Sequence, residues 1–191
     1  MPGDPTHRPI ILIVSGERAL AEVLATSLRT SYEIRRAYDA TQAIELVDMD
    51  VDVVLLDRAT SGLEYDRFVS SLGERGADPR VALVLGPEAD PVVAGQADDY
   101  LLRPVRPENV VDAVSRLAEV AKYDRDIGEF YDLARRKAAL EARLSSDELA
   151  TSEEYADLLV ELEGYRELLD EELSEFDRHH QDLGFRELAS V

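Results

Sequence analysis

Asp52-Val-Val-Leu-Leu-Asp57-Arg58 is the stretch that decides the fold. Four consecutive apolar residues with a carboxylate at the end read as a strand buried on both faces, as in a parallel sheet. An acid at the carboxyl end of such a strand stands where ligands gather in open α/β sheets. Upstream, Ile10-Ile-Leu-Ile-Val14 is a second run of this kind, and downstream lie Arg80-Val-Ala-Leu-Val-Leu85 and the shorter Asp99-Tyr-Leu-Leu102. Tyr32 to Ala37 is a less apolar strand. Between these runs apolar residues recur at helical spacing: Leu20, Val23, Leu24 and Leu28; Ala40, Ala43, Ile44 and Val47; Phe68, Val69 and Leu72, closed by Gly73 and Gly76. The segment from Gly86 to Gln96 holds Pro87, Pro91 and Gly95, so its helix is expected to be short or frayed. Alternation of this kind predicts a flavodoxin-like, doubly wound, five-stranded parallel sheet.

Pro107 then opens a helix at the position where its missing N–H costs nothing. Val110, Val114, Leu117 and Val120 continue into Tyr123, Ile127, Phe130, Ala134, Leu140 and Leu144 without a strong stop. Ser145 to Ser152 reads as a turn, and Thr151 with Glu154 has the spacing of a capping box for a second helix. That helix carries Tyr155, Leu158, Leu162, Tyr165, Leu169 and Phe176, interrupted at Glu172. Two apolar stripes joined by a short turn predict an antiparallel helical hairpin of coiled-coil type. The expected division is 8–120 for the α/β domain, 121–178 for the hairpin and 179–191 for a flexible tail.

Charge bounds the setting. The 191 residues include 41 acidic and 21 basic side chains, for a formal net charge of −20. Lys122 and Lys137 are the only lysines. Such a surface repels itself at low salt and becomes tolerable where the screening length falls to about 3 Å, near 1 M salt. The composition resembles that of proteins from salt-accumulating archaea. There is no cysteine, hence no disulfide or thiolate site, and no run of 18 apolar residues. A cytoplasmic chain without a membrane span is expected.

Three segments resemble the CheY-like receiver domain of response regulators: Ile-Leu-Ile-Val14 followed by a helix, Asp52 to Arg58, and Ala97-Asp-Asp-Tyr-Leu-Leu-Arg103-Pro104. The resemblance implies a phosphoacceptor at Asp57. It also implies two acids after the first strand that help hold Mg²⁺, a hydroxyl ending the fourth strand, a lysine ending the fifth, and a switch aromatic. Ser15 and Gly16 stand where the acidic pair belongs, with Glu17 beside them. Leu85 replaces the hydroxyl, Arg103 replaces the lysine, and Tyr100 keeps the aromatic. Mg²⁺ needs oxygen ligands in near-octahedral array. One missing donor to a phosphoryl group can cost roughly 3 kcal/mol. The remnant is therefore expected to act as a pseudo-receiver that works through protein contacts without a cofactor. The alternative is a phospho-dependent regulator of transcription, phosphorylated at Asp57 by a sensor kinase with Mg²⁺. Asp57 is also readable as a strand-end acid satisfied by Arg103 or backbone N–H groups, and Tyr100 as plain packing.

Tyr123-Asp, Tyr131-Asp-Leu-Ala-Arg-Arg-Lys-Ala-Ala-Leu-Glu141 and Ser152-Glu-Glu-Tyr-Ala-Asp-Leu158 resemble the HalX domain, a helical module that follows receivers in haloarchaeal regulators. That resemblance implies a signalling role, and a two-helix module of this size favours a homodimer or a protein partner. For DNA the sequence speaks weakly. Residues 119–191 carry nine basic and twenty-one acidic side chains. The one basic cluster, Arg135, Arg136 and Lys137 with Arg143, reads better as an exposed face pairing with Asp132 and Glu141. No helix-turn-helix with a basic recognition helix is present. Adjacent His179 and His180 do not share a helical face and are not expected to bind a metal. No nucleophile–base set or phosphate loop points to an enzyme.

Overall fold

The computed structural model describes residues 8–62, 64–87 and 97–188, with side chains up to Ser174. Five strands form one parallel sheet: β1 Ile10–Val14, β2 Glu33–Ala37, β3 Val51–Asp57, β4 Arg80–Leu85 and β5 Asp99–Leu102, in the order β2-β1-β3-β4-β5. The helices are α1 Arg18–Leu28, α2 Ala40–Leu46, α3 Tyr65–Glu74, α4 Pro107–Arg143, α5 Ser146–Thr151 and α6 Glu153–Leu188. The expected doubly wound sheet is observed. The helix anticipated between Gly86 and Gln96 falls mostly on residues 88–96, outside the described residues.

Strand alternation sends side chains to two cores. Ile11, Ile13, Val53, Leu55, Ala82 and Val84 pack with Leu24 and Leu28 of α1 and with Val110, Val114 and Leu117 of α4. Leu12, Val14, Val54, Leu56 and Leu83 pack on the opposite face with Phe68 and Leu72 of α3. The central strands are therefore apolar on both sides, which is why their sequences do not alternate. Each of the buried Val, Leu, Ile and Phe side chains contributes about 1.5–3 kcal/mol of burial. One buried polar group works inside this frame: Asp52 Oδ2 accepts the Ile10 N–H at 2.7 Å and ties the start of β1 to β3.

The chain divides near Tyr123, residues 6–122 forming the first unit and residues 123–191 belonging to the second. In the second unit, Leu133 packs with Leu158 and Tyr165, joined by Phe130, Leu140, Leu162 and Leu168. Near the turn, Tyr155 donates to Glu141 Oε1 at 2.7 Å, and Lys137 Nζ donates to the same oxygen at 2.7 Å. These contacts make the pair antiparallel.

Its turn departs from the sequence reading. The capping box is formed by Ser145 and Glu148, which open α5, and not by Thr151 and Glu154. Thr151 ends α5 with its hydroxyl donating to the Asp147 and Glu148 carbonyls, and Ser152 Oγ caps α6 by accepting from Tyr155 N. Both S/T-x-x-E sequences fit the pattern. The one at Ser145 comes directly after the last turn of α4, where new N–H groups first need acceptors. At the other end, α6 runs to Leu188, through the polar segment that the sequence reads as a tail.

Candidate functional site

Parallel pairing aligns the carboxyl ends of the central strands. Val14 stands opposite Leu56, and Asp57 opposite Val84, so the residues following β1 lie beside Asp57. Arg103 follows β5, where its N–H donates to the Leu85 carbonyl at 2.9 Å, and a cis bond joins it to Pro104. The topology thus gathers Ser15, Gly16, Glu17, Asp57 and Arg103 at one edge, although they span 89 residues of sequence.

Asp57 is 2% exposed, and both of its oxygens are engaged. Oδ1 accepts the Ala59 N–H at 3.0 Å. Oδ2 accepts the Ser15 hydroxyl at 2.8 Å and lies 2.8 Å from Arg103 Nη2. The Nη2 hydrogens are off line from that oxygen, so the contact is an ion pair more than a directed hydrogen bond. Arg103 Nη1 donates to Glu17 Oε2 at 2.7 Å. One guanidinium therefore bridges two carboxylates from different elements. Burial works to lower the pKa of Arg103, but the hydrogen bond to Glu17 and the charge of Asp57 outweigh it and hold the group above its ordinary value. The fork geometry of guanidinium suits this bridging, which a lysine ammonium reproduces only as a point charge.

The loop after β1 is fixed independently. Ser15 is fully buried; its Oγ accepts the Glu17 N–H at 3.2 Å and its N–H donates to Ala37 O. Gly16 N–H donates to Thr60 Oγ1 at 3.1 Å. Thr60, itself buried, was not singled out in the sequence; the signal available was a hydroxyl three residues beyond the strand-end acid. Arg18, just beyond this loop, stacks over the Tyr38 ring at 4.4 Å. Leu85, which the resemblance sets against the family's hydroxyl, is buried in the core and offers the site no donor. Tyr100 is half exposed and belongs to neither core cluster.

The residues present do not fit Mg²⁺. Among the described residues no group of three or more Asp, Glu, His or Cys could hold a metal ion. The two acids at this site, Asp57 and Glu17, already share a permanent cation. In the hairpin, Arg135 pairs with Asp132 and Lys137 with Glu141, so part of the basic cluster is neutralised on its own helix. The side chains of His179 and His180 lie outside the described residues. No helix among the described residues is long and apolar enough to cross a membrane.

Comparison with known proteins agrees with this architecture. Residues 119–185 match the HalX domain family. A Haloferax volcanii protein named "Putative transcriptional regulator" is 31% identical over 159 residues, covering 82% of this chain and 27% of that protein. The DNA-binding response regulator MtrA of Mycobacterium tuberculosis is 31% identical over 134 residues, covering 68% of this chain and 58% of that protein. The chain thus spans only part of the length of the relatives it matches. Among solved structures, a CheY-like receiver domain protein from Methanospirillum hungatei aligns with a TM-score of 0.55 at 19% identity, covering 62% of this chain and 99% of that one. At that identity the likeness concerns the fold. The chain, related to a halophilic archaeal protein, is a response-regulator-like receiver domain of the CheY-like fold followed by a HalX domain.

Proposed function

We propose that this chain is a pseudo-receiver signalling module, held in one state by Arg103 and acting through protein contacts with little or no phosphotransfer. The observation that carries the reading is the bridge of Arg103 between buried Asp57 and Glu17. In a working receiver, the acceptor oxygen must meet an incoming phosphoryl group while a metal neutralises its charge. Here Oδ2 faces a guanidinium and a serine hydroxyl, and attack by Asp57 requires that clamp to open. The signal is then carried by the surface around the sheet's carboxyl edge and by the hairpin, in a cytoplasmic setting.

Phosphoramidate or acetyl phosphate in molar KCl, with Asp57→Ala as control, tests the reading by intact-mass measurement. Absence of labelling is expected. Stoichiometric labelling that Asp57→Ala abolishes overturns it. A second reading has support in Glu17, an acid beside the clamp, and in the relationship to MtrA, a DNA-binding response regulator. Under it, a sensor kinase phosphorylates Asp57 and the chain regulates transcription. Millimolar-or-tighter Mg²⁺ binding, followed by NMR shifts near Asp57, favours that second reading.

A further inference from the structure

The two units use their cations differently. In the first unit they tie one element to another: Arg36 of β2 to Glu22 of α1 at 2.6 Å, Arg80 of β4 to Asp98 at 2.9 Å, and Arg116 of α4 to Asp99 of β5 at 2.8 Å. In the hairpin Arg135 pairs with Asp132, Lys137 with Glu141 and Arg166 with Glu163, each within a single helix. Pairs of that kind support one helix locally and do not join two. A polar contact that does cross the seam is the hydrogen bond from Tyr155 to Glu141.

Charge and core are also divided unequally. Residues 6–122 carry 20 acids and 13 cations, a net −7; residues 123–191 carry 20 acids and 8 cations, a net −12 on a shorter segment. Among the described residues the first unit packs two cores of 16 and 15 buried side chains, whereas the hairpin's core has three, Leu133, Leu158 and Tyr165. Acids approach that small core from both helices. Tyr165 is held above the usual tyrosine range by burial first, and then by Glu129 and Asp126 of α4 and Glu161 of α6. Along α6, Asp157 and Glu161, Glu163 and Glu167, and Glu167 and Glu171 stand four residues apart, where like charges repel on one helix face.

Screening decides what this arrangement costs. Packed helices lie about 8–10 Å apart. Near 1 M salt the screening length is about 3 Å, and acids on facing helices scarcely sense one another. At 0.1 M it is about 10 Å, the full width of the seam, and repulsion then acts across a core of three side chains. A two-helix element has little else to oppose it, since isolated helices are marginal in water. In the first unit, attractive pairs between elements strengthen together with the repulsion as screening falls, and two larger cores remain. We infer that the hairpin is an ionic-strength switch: its helices pair in molar salt and separate as salt falls towards about 0.1 M, while the five-stranded unit stays folded. A change in the medium thereby becomes a structural change in one half of the chain. The inference does not depend on the state of Asp57.

Hydrogen exchange of the full chain, read by mass spectrometry in KCl from about 3 M down to about 0.1 M, tests it. Between these extremes, peptides from 128–143 and 153–170 are expected to exchange at least about tenfold faster at low salt, and those from β1, β3 and β4 less than about threefold faster. Glu129→Gln/Glu161→Gln removes one acid from each side of the seam and is expected to keep the hairpin protected at lower salt than the wild type. Glu45→Gln/Glu74→Gln removes two exposed charges from the first unit and is expected to leave the hairpin's transition where it was. Hairpin protection that persists at the lowest salt overturns the inference. So do loss of protection in both units over the same salt range, a Glu129→Gln/Glu161→Gln variant with the wild-type transition, and an equal shift with Glu45→Gln/Glu74→Gln.

Discussion

Arg103→Ala removes the cation in contact with Asp57, a carboxylate that is 2% exposed in the intact chain, and leaves it Ser15 and the Ala59 N–H as partners among the described residues. At 2.8 Å and an effective dielectric near 20, the Arg103–Asp57 attraction is about 6 kcal/mol in gross terms. Desolvation of the acid offsets much of that. Removing one partner of a fully buried pair costs about 3–5 kcal/mol. Arg103 is 27% exposed, which admits water to the vacated space and brings the expected loss to roughly 2 kcal/mol. The Glu17 half of the bridge adds under about 1 kcal/mol, because that carboxylate is 54% exposed. In thermal unfolding a loss of this size lowers the midpoint by roughly 8 °C for a domain of this length. The assay is a double-mutant cycle of Arg103→Ala with Asp57→Asn, followed by urea unfolding in molar KCl. A coupling energy of about 1.5 kcal/mol or more is expected, the range of groups in one ion-pair network. Coupling under about 0.5 kcal/mol, the level of independent sites, refutes the clamp.

Three further outcomes test other parts of the structure. Rebuilding the family's pattern with Ser15→Asp, Gly16→Asp, Leu85→Thr and Arg103→Lys is expected to confer Asp57-dependent phosphoramidate labelling. A Cβ at Gly16 meets nothing closer than 3.7 Å, so the added side chain has room. Asp52→Ala leaves the buried Ile10 N–H without its acceptor and is expected to cost about 1–3 kcal/mol in urea unfolding; a loss under about 0.5 kcal/mol contradicts that role. Tyr155 is held above the usual tyrosine range, chiefly by its hydrogen bond to Glu141. A raised folded-state pKa gives stability that is fully present below the unfolded value near 10 and is lost as pH rises through the folded one. Hairpin helicity is therefore expected to fall above about pH 10, less steeply in Tyr155→Phe. Identical alkaline profiles for the two chains exclude this contribution.

Strand existence was readable because β1, β3 and β4 are buried on both faces and leave unbroken apolar runs. The helix from Pro107 to Arg143 was readable because its apolar spacing never breaks, even at Gly128. The turn was harder, since Ser145–Glu148 and Thr151–Glu154 present the same local pattern and only the end of α4 decides between them. At the site, residue types revealed what was missing relative to working receivers: two acids, a hydroxyl and a lysine. They also offered Arg103 or backbone N–H groups as partners of Asp57, but gave no sign of the hydroxyls of Ser15 and Thr60. Ser15 could be read as the loss of an acid, but its hydrogen bond to Asp57 depends on the β1–β3 register. The Thr60 link to Gly16 depends on two loops that only the folded sheet brings together.

The bridge of Arg103 across Asp57 and Glu17 also changes what this edge of the sheet responds to. A dissolved cation occupies its site according to its free concentration, so the charge of such a site follows the medium. A guanidinium on the same chain arrives with every folded molecule, at an effective concentration set by the backbone that carries it. Dilution, chelation or a surge of competing ions cannot remove it. The charge at this edge of the sheet is written into the polypeptide at synthesis, and only an event that moves the β5 end itself can alter it.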